Sequence, residues 1–298
     1  MKAVPIGRRL VGPGQPTFVV AEIGINHNGD LEVAKALVDA AAAAGCDAVK
    51  FQKRTIDLVY TAEELARPRE SPFGTTNGDL KRGLELGLDD YADIDRHCRR
   101  LGIRWFASCW DRLSVDFIEQ FDPPCYKIAS ACLPDDGLLC HHRCMGRPIL
   151  LSTGMSAPGQ IDHAVEVIGD EALVLLHCTS AYPSPIEELN LKVIPRLAER
   201  YDCPVGYSGH EVGLATTLAA VVLGACVVER HLTLDRAMWG SDQAASVEPH
   251  GLTRLVKDIR AVERALGDGV KRVYDSELPA RDKLRRLGPF ITRSGRVM

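Results

Sequence analysis

The chain has 298 residues, of which 46% are hydrophobic, enough for one large buried core or two small ones. Its formal net charge of -4 offers no basic surface to nucleic acid or to an anionic membrane, so neither is expected as a partner. No apolar run reaches the ~18 residues of a membrane span, and the amino terminus lacks the apolar segment of a secretory signal. The ten cysteines lie mostly singly in apolar segments, so we expect a reducing, cytoplasmic location.

Residues 1–17 contain three glycines and three prolines, which predicts a short amino-terminal hairpin or an irregular cover. From residue 18 onward, apolar runs typical of buried strands alternate with amphipathic stretches typical of helices. The strands are predicted at 18–24, 48–52, 104–109, 125–130, 148–154, 172–180, 204–210 and 226–232. The helices are predicted at 31–44, 91–101, 114–120, 160–168, 191–201, 214–223 and 252–266.

This alternation predicts an α/β protein with a parallel sheet, and eight repeats favour a (β/α)8 TIM barrel over residues 18–266. Asp30 is placed to cap the first helix, and Gly45 to end it. Residues 53–89 form a long insertion after the second strand, where a barrel carries its catalytic loops. A strongly charged tail is predicted over 267–298.

In TIM barrels the catalytic side chains lie at the carboxyl ends of the strands. Every predicted strand ends in polar residues: Glu22, Lys50, Gln52, Ser108, Lys127, Ser130, Ser152, Thr153, His177, Tyr182, Ser208, His210, Glu229 and His231. Two lysines and several hydroxyls suit a phosphate and a carboxylate on one small substrate. The histidines of the last two strands, His210 and His231, are placed to share a divalent metal, and Glu22 is a candidate base or partner of a metal-bound water.

Each of these residues also has a purely structural interpretation. A histidine at a strand end can bond to a backbone carbonyl, and Lys50 or Lys127 can form a buried ion pair with Glu22 or Glu229. These alternatives stay open at the level of single residues. The occurrence of polar residues at all eight strand ends favours a shared site.

Several long ordered motifs resemble the sialic acid (N-acetylneuraminate) synthase family. They are VVAEIGINHNGD, AVKFQ, YKIAS, PILLSTGMS, LLHCTSAYPSP, YSGHEVG and ERHLTLD followed by GSDQAAS, and they extend from about residue 17 to 266. The resemblance implies a (β/α)8 barrel. It also implies metal-dependent condensation of phosphoenolpyruvate with an aldose, N-acetylmannosamine or a related amino sugar, giving a nonulosonic or similar 3-deoxy-2-keto sugar acid and phosphate.

The resemblance also implies roles for particular residues. Phosphoenolpyruvate would be held by Lys50, Lys127, Ser130, Ser152 and Ser208, and Ser108 is counted with the substrate-binding residues. His210 and His231 would bind the divalent ion, typically manganese, with magnesium or cobalt as alternatives. Glu22 would be the acid/base residue, with Lys127 and Glu229 counted as catalytic beside it. The sugar would face Gln52, Tyr182 and Asp242, and Asn77 in the long insertion matches a family asparagine that contacts substrate. A homodimer stays open.

The sequence departs from the family pattern in three places. The usual glycine-glutamate after the fourth strand is Ala131-Cys132, and the usual threonine after the third is Cys109, followed by Trp110-Asp111. Family members carry a carboxyl-terminal antifreeze-like domain that lends an arginine to a partner's active site. At 298 residues the chain is expected to be a short form without that domain, so that another arginine substitutes or the substrate differs.

Two other functions remain as alternatives. A barrel aldolase or lyase could cleave a sugar acid through a Schiff base, for which Lys127 is the best candidate. A non-catalytic relative could bind sugar acids without turning them over. The presence of both histidines, both lysines and Glu22 favours the condensing enzyme.

Overall fold

A computed structural model describes residues 2–286, and this range contains twelve strands and twelve α-helices. The strands are β1 (Val4–Ile6), β2 (Arg9–Val11), β3 (Phe18–Gly24), β4 (Ala48–Lys53), β5 (Pro68–Ser71), β6 (Gly74–Thr76), β7 (Arg104–Cys109), β8 (Tyr126–Ile128), β9 (Ile149–Ser152), β10 (Leu173–Cys178), β11 (Val205–Gly209) and β12 (Val227–His231). The helices are α1 (Leu31–Ala44), α2 (Ile56–Val59), α3 (Ala62–Ala66), α4 (Asn77–Gly83), α5 (Leu88–Leu101), α6 (Arg112–Glu119), α7 (Asp136–Cys144), α8 (Pro158–Ile168), α9 (Val193–Arg200), α10 (Ala215–Val222), α11 (Pro249–Leu266) and α12 (Leu278–Leu284).

Eight parallel strands close into one barrel in the order β3-β4-β7-β8-β9-β10-β11-β12, and β12 pairs back to β3. All seven residues of β3 are buried, as expected where helices cover the outside of a parallel sheet and side chains fill the inside. The predicted (β/α)8 TIM barrel is therefore confirmed.

The interior of the barrel changes from apolar to polar along its axis. Towards the amino-terminal ends of the strands, residues such as Val20 and Ala48 form an apolar cluster, which the β1–β2 hairpin extends with Ile6 and Val11. Because side chains alternate between the two faces of a strand, Ala21 packs outward in a second cluster with the helices. The hairpin and the apolar layer close one end of the barrel, which leaves the polar layer at the carboxyl ends of the strands.

The first barrel helix begins and ends where its sequence predicts. The side chain of Asp30 accepts hydrogen bonds from the backbone N–H groups of Glu32 and Val33, and Gly45 ends α1 with a φ of 82°. This fixed turn carries the chain from the carboxyl end of β3 back down the outside of the barrel.

The insertion at residues 53–89 has secondary structure of its own. It contains α2, α3, the antiparallel pair β5–β6 and α4. Capping boxes start two of these helices, Thr61 with Glu64 and Thr76 with Asp79. The insertion follows β4 directly, so it starts at the rim of the polar end.

Residues up to Glu263 form one compact unit, and the described residues from Arg264 onward form a second. The second unit contains a 3-10 turn at Asp275–Glu277 and the short helix α12. The charged tail predicted at 267–298 is described as far as residue 286, and its part from 287 onward lies outside the described residues. Among the described helices, none combines the length and the apolar character needed to cross a membrane.

Candidate active site

The inward-facing polar residues of the barrel line one cavity of about 200 Å³. Most of the predicted site residues lie on its wall, namely Glu22, Lys50, Gln52, Ser108, Lys127, Ser130, Ser152, Tyr182, Ser208, His210, Glu229 and His231. The pairs Lys50 and Gln52, Ser208 and His210, and Glu229 and His231 are each two residues apart. Successive inward positions of one strand therefore build the wall from the apolar layer upward.

Lys50 lies at the centre of the lower cavity wall, which is the part of the wall next to the apolar layer. Its Nζ is 2.9 Å from Oε2 of Glu22, donates to Oγ of Ser108 at 2.8 Å and lies 3.7 Å from Oε1 of Glu229. Gln52 Nε2 donates to the other oxygen of Glu22 at 2.9 Å. The ion pair considered as a structural alternative for Lys50 is present, and it lies on the cavity wall.

The two buried carboxylates on either side of Lys50 have opposite pKa shifts. Burial raises the pKa of Glu22 to about 7, although the charge of Lys50 acts against burial. Burial alone would also raise the pKa of Glu229, but the charges of Lys50 and Lys127 outweigh it and lower that pKa to about 2. Glu229 is therefore a fixed anion, whereas Glu22 can exchange a proton near neutral pH, as acid/base catalysis requires.

A second lysine and several hydroxyls complete the lower wall. Lys127 Nζ donates to the carbonyl oxygen of Ile128 at 3.1 Å, and burial, together with the charge of Lys50, lowers its pKa. Oγ of Ser152 is buried and has no hydrogen-bond partner among residues 2–286. Oγ of Ser130 accepts a hydrogen bond from the backbone N–H of Gly154 at 3.0 Å. Ammonium and hydroxyl donors around a small cavity suit the oxygens of a phosphate or carboxylate.

Gly154 makes this arrangement possible because its backbone passes very close to two hydroxyls. A Cβ at this position would lie 2.2 Å from Oγ of Ser180 and 2.8 Å from Oγ of Ser130. Both distances are below any real Cβ contact, so only glycine lets the loop after β9 approach Ser130.

His210, His231 and Tyr182 form a ring cluster at the upper edge of the cavity. The two imidazole centroids are 5.4 Å apart, and the Tyr182 ring lies 4.1 Å from that of His210. Nδ1–H of His210 donates to the carbonyl oxygen of Thr179 at 2.8 Å, so Nε2 is the nitrogen that can accept a ligand, as far as the described residues go. Nδ1 of His231 is buried without a hydrogen bond to the described residues, and burial lowers the pKa of this ring to about 3.

These two histidines fit a divalent metal. A neutral imidazole is a common ligand of divalent transition metals, and each ring has a nitrogen that no described residue uses. Within the described part of the chain, no group of three or more His, Cys, Asp or Glu side chains is arranged to hold a metal. The two histidines would therefore be the protein ligands, with water or substrate oxygens completing the coordination.

Asp242 and Asn77, to which the resemblance assigned contacts with substrate, lie away from the cavity wall. Oδ2 of Asp242 is 4.0 Å from Nδ1 of His231, so this carboxylate lies beside the ring cluster. Asn77 is the first residue of α4, and its side-chain amide donates to the carbonyl oxygen of Glu64. The structure therefore brings Asp242 close to the other predicted residues and leaves Asn77 within the insertion.

Two predicted strand-end residues, Thr153 and His177, do not line the cavity, and Oγ1 of Thr153 donates to the carbonyl oxygen of Leu176 at 3.1 Å. His177 was expected to face the site, but its Nε2 contacts the carbonyl oxygen of Leu189 at 2.7 Å, and the ring lines a neighbouring cleft that adjoins the cavity at Met155, Cys178 and Ser180. The adjacent residue Cys178 lines the cavity, with Sγ 3.8 Å from Nδ1 of His210. Alternation of side chains along β10 explains the exchange, since only one of two neighbours can point inward.

Two departures from the family pattern lie outside the cavity. Cys109 and Cys132 are both buried in the outer hydrophobic cluster, between the strands and the helices. Their neighbours Trp110 and Ala131 line the cavity instead.

One residue of the site, Arg54, was not predicted from the sequence, and Trp110 was noted only as a departure from the family pattern. The guanidinium of Arg54 stacks on the indole of Trp110. The two-residue spacing of Lys50, Gln52 and Arg54 is the signal that could have identified Arg54.

Comparisons with known proteins agree with this geometry. The model of the NeuB family matches residues 37–271. N-acetylneuraminate-9-phosphate synthase of Homo sapiens is 40% identical over 281 residues, which cover 93% of this chain and 78% of that protein. N,N'-diacetyllegionaminic acid synthase of Legionella pneumophila is 37% identical over 285 residues, covering 92% of this chain and 80% of that protein.

A solved structure is similar over nearly all of the chain. The N-acetylneuraminic acid synthetase of Leptospira borgpetersenii, in complex with citrate, superposes with a TM-score of 0.84 at 29% sequence identity. The match covers 96% of this chain and 98% of that one. With the extent of the family match and the identity to the human synthase, these findings confirm the resemblance to sialic acid synthases, and the chain belongs to the NeuB family.

Proposed function

We propose that this protein condenses phosphoenolpyruvate with the aldehyde form of N-acetylmannosamine or a related amino sugar. The products would be a nonulosonic or similar 3-deoxy-2-keto sugar acid and phosphate. Its membership of the NeuB family makes it a carbon–carbon bond-forming transferase. The observation that supports the proposal best is the lower cavity wall, where two buried lysines and buried hydroxyls adjoin two carboxylates of opposite pKa shift.

The residues of the lower wall suit the binding of phosphoenolpyruvate. Lys50 and Lys127 would offset the charges of its phosphate and carboxylate, and the hydroxyls of Ser130, Ser152 and Ser208 would donate to their oxygens. The enol carbon of phosphoenolpyruvate would then attack the aldehyde carbon of the sugar, whose oxygen takes up a proton from the protonated form of Glu22 to become a hydroxyl. This step forms the new carbon–carbon bond and leaves a cation at the carbon that bears the phosphate.

Glu22 has the pKa and the position to complete the reaction. As a carboxylate it would take a proton from a water molecule that adds to the cationic carbon. The tetrahedral adduct would then break its carbon–oxygen bond to phosphate, and the departing phosphate would take the proton of the new hydroxyl, which leaves the keto acid. Glu229, which stays ionised, would hold Lys50 and Ser208 in place through contacts of 3.7 and 3.0 Å to its Oε1.

We also propose that His210 and His231 hold a divalent metal, manganese in preference to magnesium or cobalt. When bound, it would act as a Lewis acid on the aldehyde oxygen of the sugar. Metal binding is measured by calorimetry with manganese, magnesium and cobalt on the wild type and on His210→Ala and His231→Ala. Both variants are expected to lose metal binding, whereas His250→Ala, at an exposed histidine, keeps it. Unchanged affinity in both site variants would remove the metal from the proposal.

Phosphate release from phosphoenolpyruvate tests the reaction itself. The assay uses manganese and a panel of aldoses and N-acetyl hexosamines, with a control lacking any sugar. Release with one sugar supports the condensation and identifies the acceptor. Silence across the panel, together with no binding of phosphoenolpyruvate by calorimetry, refutes the proposal.

The lowered pKa of Lys127 favours one alternative, an aldolase that acts through a Schiff base. Borohydride reduction in the presence of pyruvate distinguishes the two functions. Mass spectrometry would find a trapped adduct on Lys127 for an aldolase and none for a condensing synthase. The exposed Lys257 serves as the internal control for non-specific labelling.

We also propose that the protein is cytoplasmic and forms a homodimer. All ten cysteines are free thiols, which supports a reducing compartment. Fractionation of cells tests the location, and light scattering tests the dimer.

A further inference from the structure

Arg54 and Trp110 form a stacked pair on the rim of the cavity. Arg54 follows Lys50 and Gln52 at intervals of two residues, so it continues the inward series of β4 beyond the end of the strand. Its guanidinium carbon lies 4.2 Å from the centroid of the Trp110 ring, and its side chain is only 10% exposed. Trp110 lies two residues beyond Ser108 and lines the cavity itself.

Both members of the pair have a buried donor that is not used. Nε of Arg54 and Nε1 of Trp110 are inaccessible to solvent, and neither has a hydrogen-bond acceptor among the residues that the structure describes. A buried donor without an acceptor costs ~1–3 kcal/mol. Two such donors, on side chains that contact each other at the edge of a substrate cavity, are explained if an oxygen-rich part of the substrate accepts from them.

Two carboxylates lie near the pair, Glu85 and Asp111, and neither is paired with Arg54 alone. The carboxylate of Glu85 is shared, with Oε2 3.0 Å from Nζ of Lys53 and Oε1 3.9 Å from the guanidinium of Arg54. Burial, together with the charges of Arg54 and Arg69, lowers the pKa of the nearby Lys81. Glu85 therefore serves two cations, and Asp111 accepts from Thr55 and Ser114, so an anion bound here would offset a charge on Arg54 that neither carboxylate offsets alone.

The pair is connected to the reacting end of the site through Gln52. Arg54 donates to Oε1 of Gln52 at 2.5 Å, and the amide of Gln52 donates to Glu22 at 2.9 Å. Arg54 therefore lies above the residue expected to face the sugar, and farther from the lower wall than Gln52.

We propose that Arg54 and Trp110 form a subsite for an anionic group on the acceptor sugar, a phosphate monoester or a carboxylate, at the end away from the aldehyde. This inference rests on the proposed function for the identity of the acceptor as a sugar. Arg54 would bind the anion through Nε–H and an adjacent N–H of its guanidinium, and Trp110 would add its indole N–H.

Calorimetry with three acceptors tests the subsite. The ligands are N-acetylmannosamine, its 6-phosphate and the corresponding uronic acid, each titrated with and without phosphoenolpyruvate. The wild type is expected to bind one of the charged sugars ~10-fold or more tightly than the neutral one, because hydrogen bonds to charged groups are the stronger class. The charged sugar that binds more tightly distinguishes a phosphate from a carboxylate.

Four variants locate the interaction. Arg54→Gln is expected to lose the preference for the charged sugar, whereas its affinity for the neutral sugar, which Arg54 contacts only through Gln52, falls much less and its affinity for phosphoenolpyruvate least of all. Arg54→Lys keeps the charge without the planar fork and should retain only part of the preference. Trp110→Phe removes a single donor and should weaken binding of the charged sugar several-fold. Arg67→Gln, at an exposed arginine of the same insertion, is the matched control.

The inference is overturned if the wild type shows no preference for a charged sugar. It is also overturned if Arg54→Gln weakens the neutral and the charged sugars equally, or weakens phosphoenolpyruvate alone. Should Arg54→Gln not fold, as judged by thermal melting, Trp110→Phe decides the question by the same comparison. Selective binding of a charged sugar without any binding of phosphoenolpyruvate would refute the proposed function and leave the subsite standing.

Discussion

At the level of single residues, Ser152 and Ser208 show how the lower cavity wall differs from an ordinary protein interior. Both hydroxyls are buried. That of Ser208 donates to the carboxylate of Glu229 at 3.0 Å, whereas that of Ser152 has no partner in the described chain. Since a buried hydroxyl without a partner is destabilising, the free protein keeps Ser152 at a cost that a bound substrate would offset.

Alanine substitutions at these two serines should therefore have opposite effects on stability. Ser152→Ala is expected to leave the free energy of unfolding unchanged or to raise it by about 1 kcal/mol, and Ser208→Ala to lower it by about 2 kcal/mol. Both variants should bind phosphoenolpyruvate more weakly, by ~5-fold or more. Urea unfolding and calorimetry measure the two quantities. Equal destabilisation by both substitutions would mean that Ser152 already has a hydrogen-bond partner.

A second residue-level prediction concerns pH and lies outside the active site. His142 on α7 is buried, packs edge-on against Tyr126 and has an Nε2 atom without a partner in the described residues. Burial lowers its pKa from 6.5 to about 4. The folded state therefore binds fewer protons than the unfolded state between these two values, and stability falls as the pH drops from 6.5 to 4, by about 3 kcal/mol.

Replacing His142 by leucine should remove this contribution. The unfolding free energy of His142→Leu is expected to depend less steeply on pH between 6.5 and 4 than that of the wild type, with little change at pH 7. His27, whose pKa burial also lowers to about 4, retains its own contribution in this variant. His250→Leu, at an exposed site, is the control. Parallel pH profiles for His142→Leu and the wild type would contradict the assignment.

At the level of secondary structure, the sequence predicts all eight barrel strands because each is an apolar run followed by polar residues. It does not predict which neighbour faces inward where a strand is apolar on both faces. The run Leu173–Cys178 is fully buried, so its pattern carries no alternation that would distinguish His177 from Cys178. The short helices of the insertion were missed, although the spacings Thr61–Glu64 and Thr76–Asp79 are capping-box signals. The pairing of Arg54 with Trp110 depends on contacts between neighbouring strands, which a single sequence does not contain.

Glycine at position 154 provides a test of how the loop after β9 shapes the site. Gly154→Ala would push its Cβ against Oγ of Ser130 and Ser180. The shift would break the hydrogen bond that the Ser130 hydroxyl is proposed to donate to phosphoenolpyruvate, so we expect binding of phosphoenolpyruvate to weaken ~10-fold or more. Gly159→Ala is the matched control, since a Cβ there meets nothing within 4 Å. That variant, within α8, should be as stable as the wild type or slightly more so. Unchanged binding by Gly154→Ala would show that the loop moves aside freely.

At the level of the whole molecule, the two ends of the barrel have different tasks. The carboxyl ends of the strands carry the cavity, with its unsatisfied hydroxyl and its buried lysines. The amino-terminal end is closed by the β1–β2 hairpin and by Asp47, a buried carboxylate in the turn before β4. Substitutions at the carboxyl ends of the strands should therefore change activity, whereas substitutions at the amino-terminal end should change stability.

Asp47 connects three distant parts of the chain at that closed end. Its carboxylate accepts hydrogen bonds from Arg9 of the hairpin, from the backbone N–H of Val19 on β3 at 2.9 Å and from Arg260 on α11 at 3.0 Å. Asp47→Asn would leave both arginines without their shared anion. Because these arginines are partly exposed, at 33% and 28%, the expected loss is about 1–3 kcal/mol rather than the larger value of a fully buried pair.

The same substitution should leave catalysis intact, because Asp47 lies at the end of the barrel opposite the cavity. Thermal and urea unfolding would show the loss of stability, and phosphoenolpyruvate turnover at 25 °C, where the variant is still folded, should equal that of the wild type. Glu32→Gln, at an exposed carboxylate paired with Lys35, is the control and should change neither quantity. If fully folded Asp47→Asn protein turned over phosphoenolpyruvate more slowly than the wild type, the two ends of the barrel would be coupled. The hairpin would then help to position the strands that carry Glu22 and Lys50.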